Sequence, residues 1–309
     1  MAPELEIVAE GLTFPEGPIA LPNGDVIVVE IAAGRLTRVK PDGSKETVAE
    51  PGGGPNGAAI GPDGKCYVCN NGGLKFVEYK GGLVPVGPAP DYAGGRVERI
   101  DLETGAVEVL YTECGGHPLK APNDLVFDQT GGFWFTDHGK TRRRDKDVTG
   151  VYYAKPDGTH IVEAIFPSED PNGIGLSPDE TEVYVAETMT GRVWAYPLAA
   201  PGVVKAPKTP MRGDRGRLVA GVPGHQLFDS LALDSAGNVC VATIHNGGIT
   251  VMASDGASVE HIPTPDFLTT NICFGGPDMR DAYITLSSTG RLAKMRWPRQ
   301  GLALNFLNR

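Results

Sequence analysis

The sequence predicts an all-β fold, a six-bladed β-propeller made of four-stranded antiparallel blades. Three observations predict it. The 309-residue chain contains 42 glycines and 26 prolines, residues that interrupt helices and supply turns. A strand–turn–strand pattern recurs six times, and each copy opens on a polar residue. A third, glycine-led strand follows each copy, and a fourth apolar run follows the first five.

The six copies share a polar lead residue, a short apolar strand, a turn and a second apolar strand. In four copies a turn glycine lies at the same offset from the lead residue, at Gly24, Gly64, Gly131 and Gly237. The lead residues are Glu16, Asn56, Asn123, Asn172, Asp229 and Asn271. Third strands are predicted over 34–39, 95–101, 150–155, 191–196, 248–253 and 290–295. Fourth strands are predicted over 46–50, 107–111, 161–166, 217–222 and 259–263.

The sixth copy has no clear fourth strand, because the chain soon ends. The N-terminal segment 5–12 is a strand of the same kind, and we expect it to pair with the last blade and close the ring. A β-sandwich is the alternative, but it has no reason to repeat one four-strand unit with a fixed turn offset. Insertions are expected at 73–93, 139–148 and 198–216. No linker divides the chain, so residues 1–309 are predicted to form a single domain.

The charge of the chain limits its partners. A net charge of −10 argues against nucleic acid, which requires a basic surface. The basic run 142–144 lies beside Asp145 and Asp147 and is predicted to be a solvated loop. No apolar run approaches the roughly 18 residues of a membrane span, and the N-terminus lacks the pattern of a secretory signal. We therefore expect a cytoplasmic protein without a membrane partner, unless a leader was removed; the sequence leaves its oligomeric state open.

The five cysteines are expected to be reduced. Cys66 and Cys69 have the CxxC spacing, but they fall within a predicted strand, where residues i and i+3 face opposite sides. They cannot easily share one zinc ion. Buried thiols are the favoured interpretation.

The lead residues predict a metal site. The first strand of each propeller blade lines the central channel, so the six side chains should converge at one mouth. All six offer oxygen and none is basic, and such a cluster is costly to bury without a partner. An isolated Asn-Gly pair, such as 56–57 or 172–173, is usually a turn. Convergence with Glu16 and Asp229 instead favours a hard divalent cation.

At these residues the chain resembles the senescence marker protein/gluconolactonase/luciferin-regenerating enzyme family. The motifs are Pro15-Glu16-Gly17-Pro18, Pro122-Asn123-Asp124, Pro171-Asn172-Gly173, Phe228-Asp229-Ser230 and Phe274-Gly275-Gly276. They follow the family's order over nearly the whole chain. The resemblance implies a six-bladed propeller that holds one divalent metal ion in its channel and hydrolyses lactones.

The resemblance also implies site residues. Glu16, Asn172 and Asp229 match the family's metal ligands, and Asn123 matches a position that binds the metal directly in some members and substrate or water in others. Asp124 matches the acidic neighbour in that motif and is a candidate for substrate binding. Oxygen ligands favour Ca²⁺, with Zn²⁺, Mg²⁺, Mn²⁺ and Fe²⁺ as alternatives.

Three positions depart from the family's pattern. Asn56 and Asn271 have no counterpart among its ligands, and we expect them to be turn residues or to support the ligands. Sugar-lactonase members often carry an arginine two residues before the motif asparagine, where this chain has Ala121. A less polar lactone or ester is therefore favoured over an aldonolactone.

The predicted reaction is lactone hydrolysis, with a small-molecule lactone or ester as substrate. By resemblance Asp229 is the candidate general base as well as a ligand. Ser230 is not expected to act as a nucleophile, because no G-x-S-x-G elbow surrounds it. Two alternatives stay open: a phosphotriesterase-like or other ester hydrolase on the same metal, and a calcium-binding propeller without enzymatic activity.

Loops around the metal mouth are expected to determine specificity. His138 and His245 occupy equivalent positions just after a second strand and are predicted to line the pocket. His225 and His261 fall elsewhere in their blades and are expected to be structural. Further candidates for the pocket are Asn70, Asn71, His117 and Met189.

Overall fold

The computed structural model describes residues 4–205 and 216–309. Within these two ranges the chain forms 29 strands and no helix. Six antiparallel sheets, each with four strands or more, follow one another as the blades of a propeller. The predicted fold class is confirmed. The third expected insertion, 198–216, lies mostly outside the described residues.

Each blade is a meander that starts at the channel. Blade 1 contains β2 (Pro15–Ala20), β3 (Val26–Glu30), β4 (Arg35–Val39) and β5 (Lys45–Ala49). Blade 2 contains β6 (Pro55–Ile60), β7 (Cys66–Asn70), β10 (Arg96–Ile100) and β11 (Val107–Tyr111). Blade 3 contains β14 (Pro122–Phe127), β15 (Phe133–Asp137), β16 (Thr149–Ala154) and β17 (Ile161–Ser168).

The other blades repeat this order. Blade 4 contains β18 (Pro171–Leu176), β19 (Glu182–Glu187), β20 (Arg192–Ala200) and β22 (Arg217–Gly221), with β21 (Val203–Val204) paired to the end of β20. Blade 5 contains β23 (Leu227–Leu233), β24 (Val239–Ile244), β25 (Gly248–Met252) and β26 (Val259–Pro263). Blade 6 contains β27 (Thr269–Gly275), β28 (Asp281–Leu286), β29 (Arg291–Arg296) and the N-terminal β1 (Glu6–Ala9).

The N-terminal strand closes the ring as the sequence predicts. β1 pairs antiparallel with β29, with Glu6 opposite Lys294, and the two side chains form an ion pair at 3.1 Å. The pairing covers the outer edge of blade 6, which would otherwise present unpaired backbone groups.

Two short hairpins stand outside the blades within the ranges that the structure describes. β8 (Leu74–Tyr79) and β9 (Gly82–Pro88) form one of them, within the predicted 73–93 insertion of blade 2. β12 (Glu113–Cys114) and β13 (His117–Pro118) form the other, before blade 3. In the described part of the chain, no helix has the length and hydropathy of a membrane span.

The two cysteines of the CxxC pair lie in β7 and point to opposite faces. Cys66 packs with the apolar residues between blades 1 and 2, whereas Cys69 packs with those between blades 2 and 3. Burial raises the pKa of the Cys66 thiol to about 12. All five cysteines are free, as the sequence predicts.

The C-terminal segment crosses the channel end opposite the lead residues. The Gly301 amide donates to the Met279 carbonyl at 2.7 Å, and the Leu302 amide donates to the Leu233 carbonyl at 2.9 Å. Asn305 Nδ2 donates to the Phe127 carbonyl at 3.1 Å. Together with the ends of the first strands, this segment encloses a mostly apolar cavity of about 100 Å³.

Candidate active site

All six lead residues lie on the first strands of their blades, which are β2, β6, β14, β18, β23 and β27. Asn56 and Asn172 are therefore in strands, so the alternative that their Asn-Gly pairs form turns is wrong. Each first strand shifts its register against the second strand at or beside the lead residue. Such bulges redirect side chains and are frequent beside active sites.

Glycines after the lead residues bring neighbouring first strands close together. A Cβ on Gly57 would lie 2.5 Å from the Asn123 carbonyl oxygen, and one on Gly173 would lie 2.8 Å from the Asp229 carbonyl oxygen. A Cβ on Gly17 would meet the Asn56 carbonyl oxygen at 2.4 Å. Only glycine permits these approaches, which narrow the channel and bring the lead side chains together.

Five of the lead residues line one cavity of about 230 Å³ at the channel mouth: Glu16, Asn56, Asn123, Asn172 and Asp229. Glu16, Asn123 and Asn172 are buried. Asp229 is enclosed by protein but partly exposed toward the cavity. The structure therefore brings the four predicted metal ligands to one place.

The hydrogen bonds of the asparagines separate two kinds of lead residue. Asn271 Nδ2 donates to Glu16 Oε2 at 2.7 Å, and its Oδ1 accepts the Ile272 amide at 2.8 Å. Both polar atoms of the Asn271 side chain therefore have partners, and its amide nitrogen holds the Glu16 carboxylate. Asn172 Nδ2 donates to Thr188 Oγ1 at 3.1 Å. Among the described residues, none donates a hydrogen bond to the buried Oδ1 atoms of Asn123 and Asn172.

These two oxygens fit a cation. A buried carbonyl oxygen without a donor is unfavourable, and two of them beside two carboxylates need a positively charged partner. Among the described residues, no three His, Cys, Asp or Glu side chains lie together so that they could hold a metal ion by themselves. The oxygens gathered here instead come from two carboxylates and two amides, a donor set that suits a hard divalent ion.

The carboxyl groups of the central channel also favour a bound cation electrostatically. Burial raises the pKa of Glu16, although hydrogen bonds from Asn271 and Gly17 oppose this. Burial and the negative charge of Glu16 raise the pKa of Asp229 well above its usual range. The same two causes raise the pKa of Asp124 to about 8. Three carboxyl groups thus disfavour one another's ionisation, an effect that a bound dication would reverse.

Asp124 faces away from this cavity. It is buried on β14 and lines the opposite cavity, near the C-terminal segment. Its Oδ1 accepts the Leu125 amide at 2.9 Å. Its proposed contact with substrate therefore stays a prediction that the cavity lining does not support.

The predicted pocket residues divide into two groups. His138 and Asn71 line the cavity. Burial lowers the pKa of His138, so its ring is neutral, and its Nδ1 has no hydrogen-bond partner among the described residues. His117 is exposed on β13 and does not line the cavity. His245 does not line it either; it has a φ of 71° and stacks on His225, with 4.5 Å between the ring centroids.

Sequence reasoning missed Lys140, a buried lysine that lines the cavity. Its Nζ donates to Asn71 Oδ1 at 3.2 Å and to the Gly73 carbonyl at 2.9 Å, and it lies 5.1 Å from the centroid of the Tyr92 ring. Burial lowers the pKa of Lys140 to about 7. Its position two residues after His138 was the available signal, but the basic run 142–144 that closely follows it is typical of a solvated loop.

Comparison with known proteins gives one family. The family described as SMP-30/Gluconolactonase/LRE-like region matches residues 14–288. A gluconolactonase of Zymomonas mobilis is 28% identical over 302 residues, which cover 88% of this chain and 76% of that protein. The lactonase drp35 of Staphylococcus haemolyticus is 31% identical over 269 residues, which cover 85% of this chain and 73% of that protein.

The fold is also found among solved structures. A calcium-binding protein, regucalcin, from Agrobacterium tumefaciens superposes with a TM-score of 0.73. The match covers 97% of this chain and 95% of that one, at 19% sequence identity. At this identity the likeness shows the shared propeller fold.

Proposed function

This chain belongs to the SMP-30/gluconolactonase/LRE-like family, and on that basis we propose that it is a lactonase that depends on one divalent metal ion. The observation that carries the proposal is the shared cavity of Glu16, Asn123, Asn172 and Asp229, with two amide oxygens that lack donors among the described residues. The relatives named gluconolactonase and lactonase support a small lactone as substrate.

Glu16, Asn172 and Asp229 would hold the ion, and Asn123 Oδ1 offers a fourth oxygen. The two carboxylates balance the charge of a dication. Ca²⁺ suits an all-oxygen donor set best, and Mg²⁺, Mn²⁺, Zn²⁺ and Fe²⁺ are the alternatives. When bound, a divalent ion supplies a Lewis acid for an ester carbonyl and lowers the pKa of water.

The chain's own residues supply the proton transfer and the orientation. Asp229 is partly exposed to the cavity, so its carboxylate can accept the proton of the attacking water. Asn271 holds the Glu16 carboxylate from behind through its 2.7 Å hydrogen bond. His138 lines the same cavity, and because burial lowers the pKa of its ring, the neutral form is favoured and can contact substrate without adding charge.

A substrate panel with controlled metal content tests the proposal. Purified protein is stripped with EDTA, reloaded with each of the five ions in turn, and assayed on γ- and δ-lactones, an aryl ester and a phosphotriester. We expect lactone hydrolysis that is lost on stripping and restored by Ca²⁺ or an alternative ion. Turnover of the phosphotriester alone would favour the phosphotriesterase, and metal binding without any turnover would favour the calcium-binding propeller.

A further inference from the structure

A hairpin crosses the mouth of the candidate cavity. β8 and β9 leave blade 2 between its second and third strands and form a two-stranded sheet with each other. Lys80 and Gly81 join them, with φ values of 51° and 80°. Two residues with positive φ form the tight turn that matches the twist of paired strands. The hairpin is thus a regular element of the fold.

The tip of this hairpin is docked on blade 6. The Leu83 amide donates to the Ser288 carbonyl at 2.9 Å. Gly82 lies so close that a Cβ there would be 2.4 Å from the same carbonyl oxygen. The Tyr79 ring meets Phe267 edge-on, with 6.2 Å between centroids. The hairpin therefore spans the mouth from blade 2 to blade 6.

Its middle and its base are also fixed. The Phe76 ring lies 5.0 Å from that of Phe14 in blade 1. At the base, Lys140 from blade 3 donates to Asn71 and Gly73, and the Ala89 amide donates to the Gly73 carbonyl at 3.2 Å. Contacts with blades 1, 3 and 6, in addition to its own blade 2, fix this hairpin as a roof over the cavity.

The roof makes one side of the cavity apolar. Leu74, Pro85 and Pro88 line the cavity from the hairpin. Leu74 packs in one apolar cluster with four further lining residues from blades 1, 5 and 6: Phe14, Ile31, Ile244 and Leu268. A hydroxyl group of a sugar lactone placed against this wall would lose its hydrogen bonds, whereas an alkyl or aryl group there would gain from burial.

We propose that the β8–β9 roof selects lactones that carry an apolar substituent, and that Leu74 is a specificity-determining residue. This inference rests on the proposed lactonase function and names the substrate class of that site. Binding of each added methylene against the wall should raise kcat/KM about threefold until the wall is filled.

The test compares γ-lactones with side chains of zero to five carbons, and D-glucono-δ-lactone. In the wild type we expect kcat/KM to rise about 30-fold across the first three methylenes, with the sugar lactone below the substituted ones. Leu74→Ser should reduce the rise in kcat/KM to less than about 1.5-fold per added methylene. Val86→Ser is the matched control, because Val86 is half exposed on the same hairpin and does not line the cavity.

Binding of γ-lactams with the same side chains, measured by calorimetry, separates the two proposals. Lactams resist hydrolysis, so their affinities measure the contribution of the apolar wall to binding even if the protein hydrolyses no lactone. Absence of lactone turnover would overturn the lactonase alone. The role of the roof would be overturned if neither lactam affinity nor kcat/KM depended on side-chain length. It would also be overturned if kcat/KM rose with side-chain length as steeply in Leu74→Ser as in Val86→Ser.

Discussion

Glu16 and Asp229 are the two carboxylates of the shared cavity, and each raises the cost of ionising the other. Removing either charge should weaken cation binding far more than it weakens the fold. We predict that Glu16→Gln and Asp229→Asn lower the affinity for Ca²⁺ by more than about 100-fold and abolish hydrolysis. Calorimetric titration and kcat/KM measure the two effects.

Asn56→Ala is the control for these variants, because Asn56 lines the same cavity without matching a family ligand. Its Ca²⁺ affinity should change less than about tenfold. A loss as large as that of Glu16→Gln would mean that the ligand set has been assigned wrongly.

Asn271 is predicted to affect metal binding through its hydrogen bond to Glu16. Its amide donates to Glu16 Oε2, and its carbonyl oxygen is occupied by the Ile272 amide. We predict that Asn271→Leu lowers Ca²⁺ affinity about 10- to 100-fold, as is usual when the partner of a ligand is removed. Asn271→Gln, which keeps the amide, should recover part of the affinity. Equal losses in both variants would point to simple disruption of packing.

Lys140 should make stability depend on pH. In the unfolded chain it keeps its proton to about pH 10, but in the folded protein burial lowers its pKa to about 7. Between these values the unfolded state binds more protons, so this residue's contribution to stability rises with pH, by up to about 1.4 kcal/mol per unit.

Urea denaturation of the wild type and Lys140→Met at pH 6, 7, 8 and 9 measures this effect. As the pH rises above 7, the free energy of unfolding of the wild type should increase relative to that of Lys140→Met. Parallel profiles would show that Lys140 stays protonated in the folded protein.

Among the elements, the first strands owe their close approach to glycine. Gly57→Ala would place a Cβ 2.5 Å from the Asn123 carbonyl oxygen. We predict a loss of about 1–3 kcal/mol of stability and a measurable fall in Ca²⁺ affinity, because β14 must move and carry Asn123 with it. Chemical denaturation and calorimetry report the two changes.

Gly64→Ala gives the comparison within the same blade. Gly64 has a φ of 76°, but no atom lies within 4 Å of an added Cβ. Its substitution should lower stability by about 1–2 kcal/mol through backbone strain and leave Ca²⁺ affinity unchanged. If both variants bind Ca²⁺ like the wild type, the glycines do not position the ligands.

The elements also show where sequence reasoning ends. Strand periodicity predicted the blades, and the channel position of first strands predicted that distant lead residues meet. The path of the β8–β9 hairpin depends on Gly82 meeting Ser288, a contact between residues far apart in sequence. His138 and His245 hold equivalent positions, yet only His138 lines the cavity. Local pattern carries no information about such packing.

In the whole molecule, the two ends of the channel have different contents. Polar lead residues and the roof occupy one mouth, whereas the C-terminal segment covers an apolar cavity at the other. The sequence predicted from residue types that the polar lead residues converge, but it did not predict the roof. Nor did it predict the C-terminal cover, because residues 302–309 form no strand and are held by contacts with the turn ends of other blades.

This separation predicts that truncation at the C-terminus affects stability without affecting the site. Deletion of residues 302–309 removes Leu302, Leu304 and Leu307 from the apolar cavity and the Asn305 hydrogen bonds to Phe127 and Glu180. We expect a fall in Tm of several degrees, since about 2 kcal/mol shifts Tm by this amount in a protein of this size. Ca²⁺ affinity should change less than twofold, because the proposed ligands lie at the opposite mouth. The variant Asn305→Ala keeps the apolar side chains of the C-terminal segment, so its Tm should fall less than that of the deletion variant. A large loss of Ca²⁺ affinity at unchanged Tm would show that the two ends of the channel are coupled, and that the C-terminal segment acts on the site as well as on the fold.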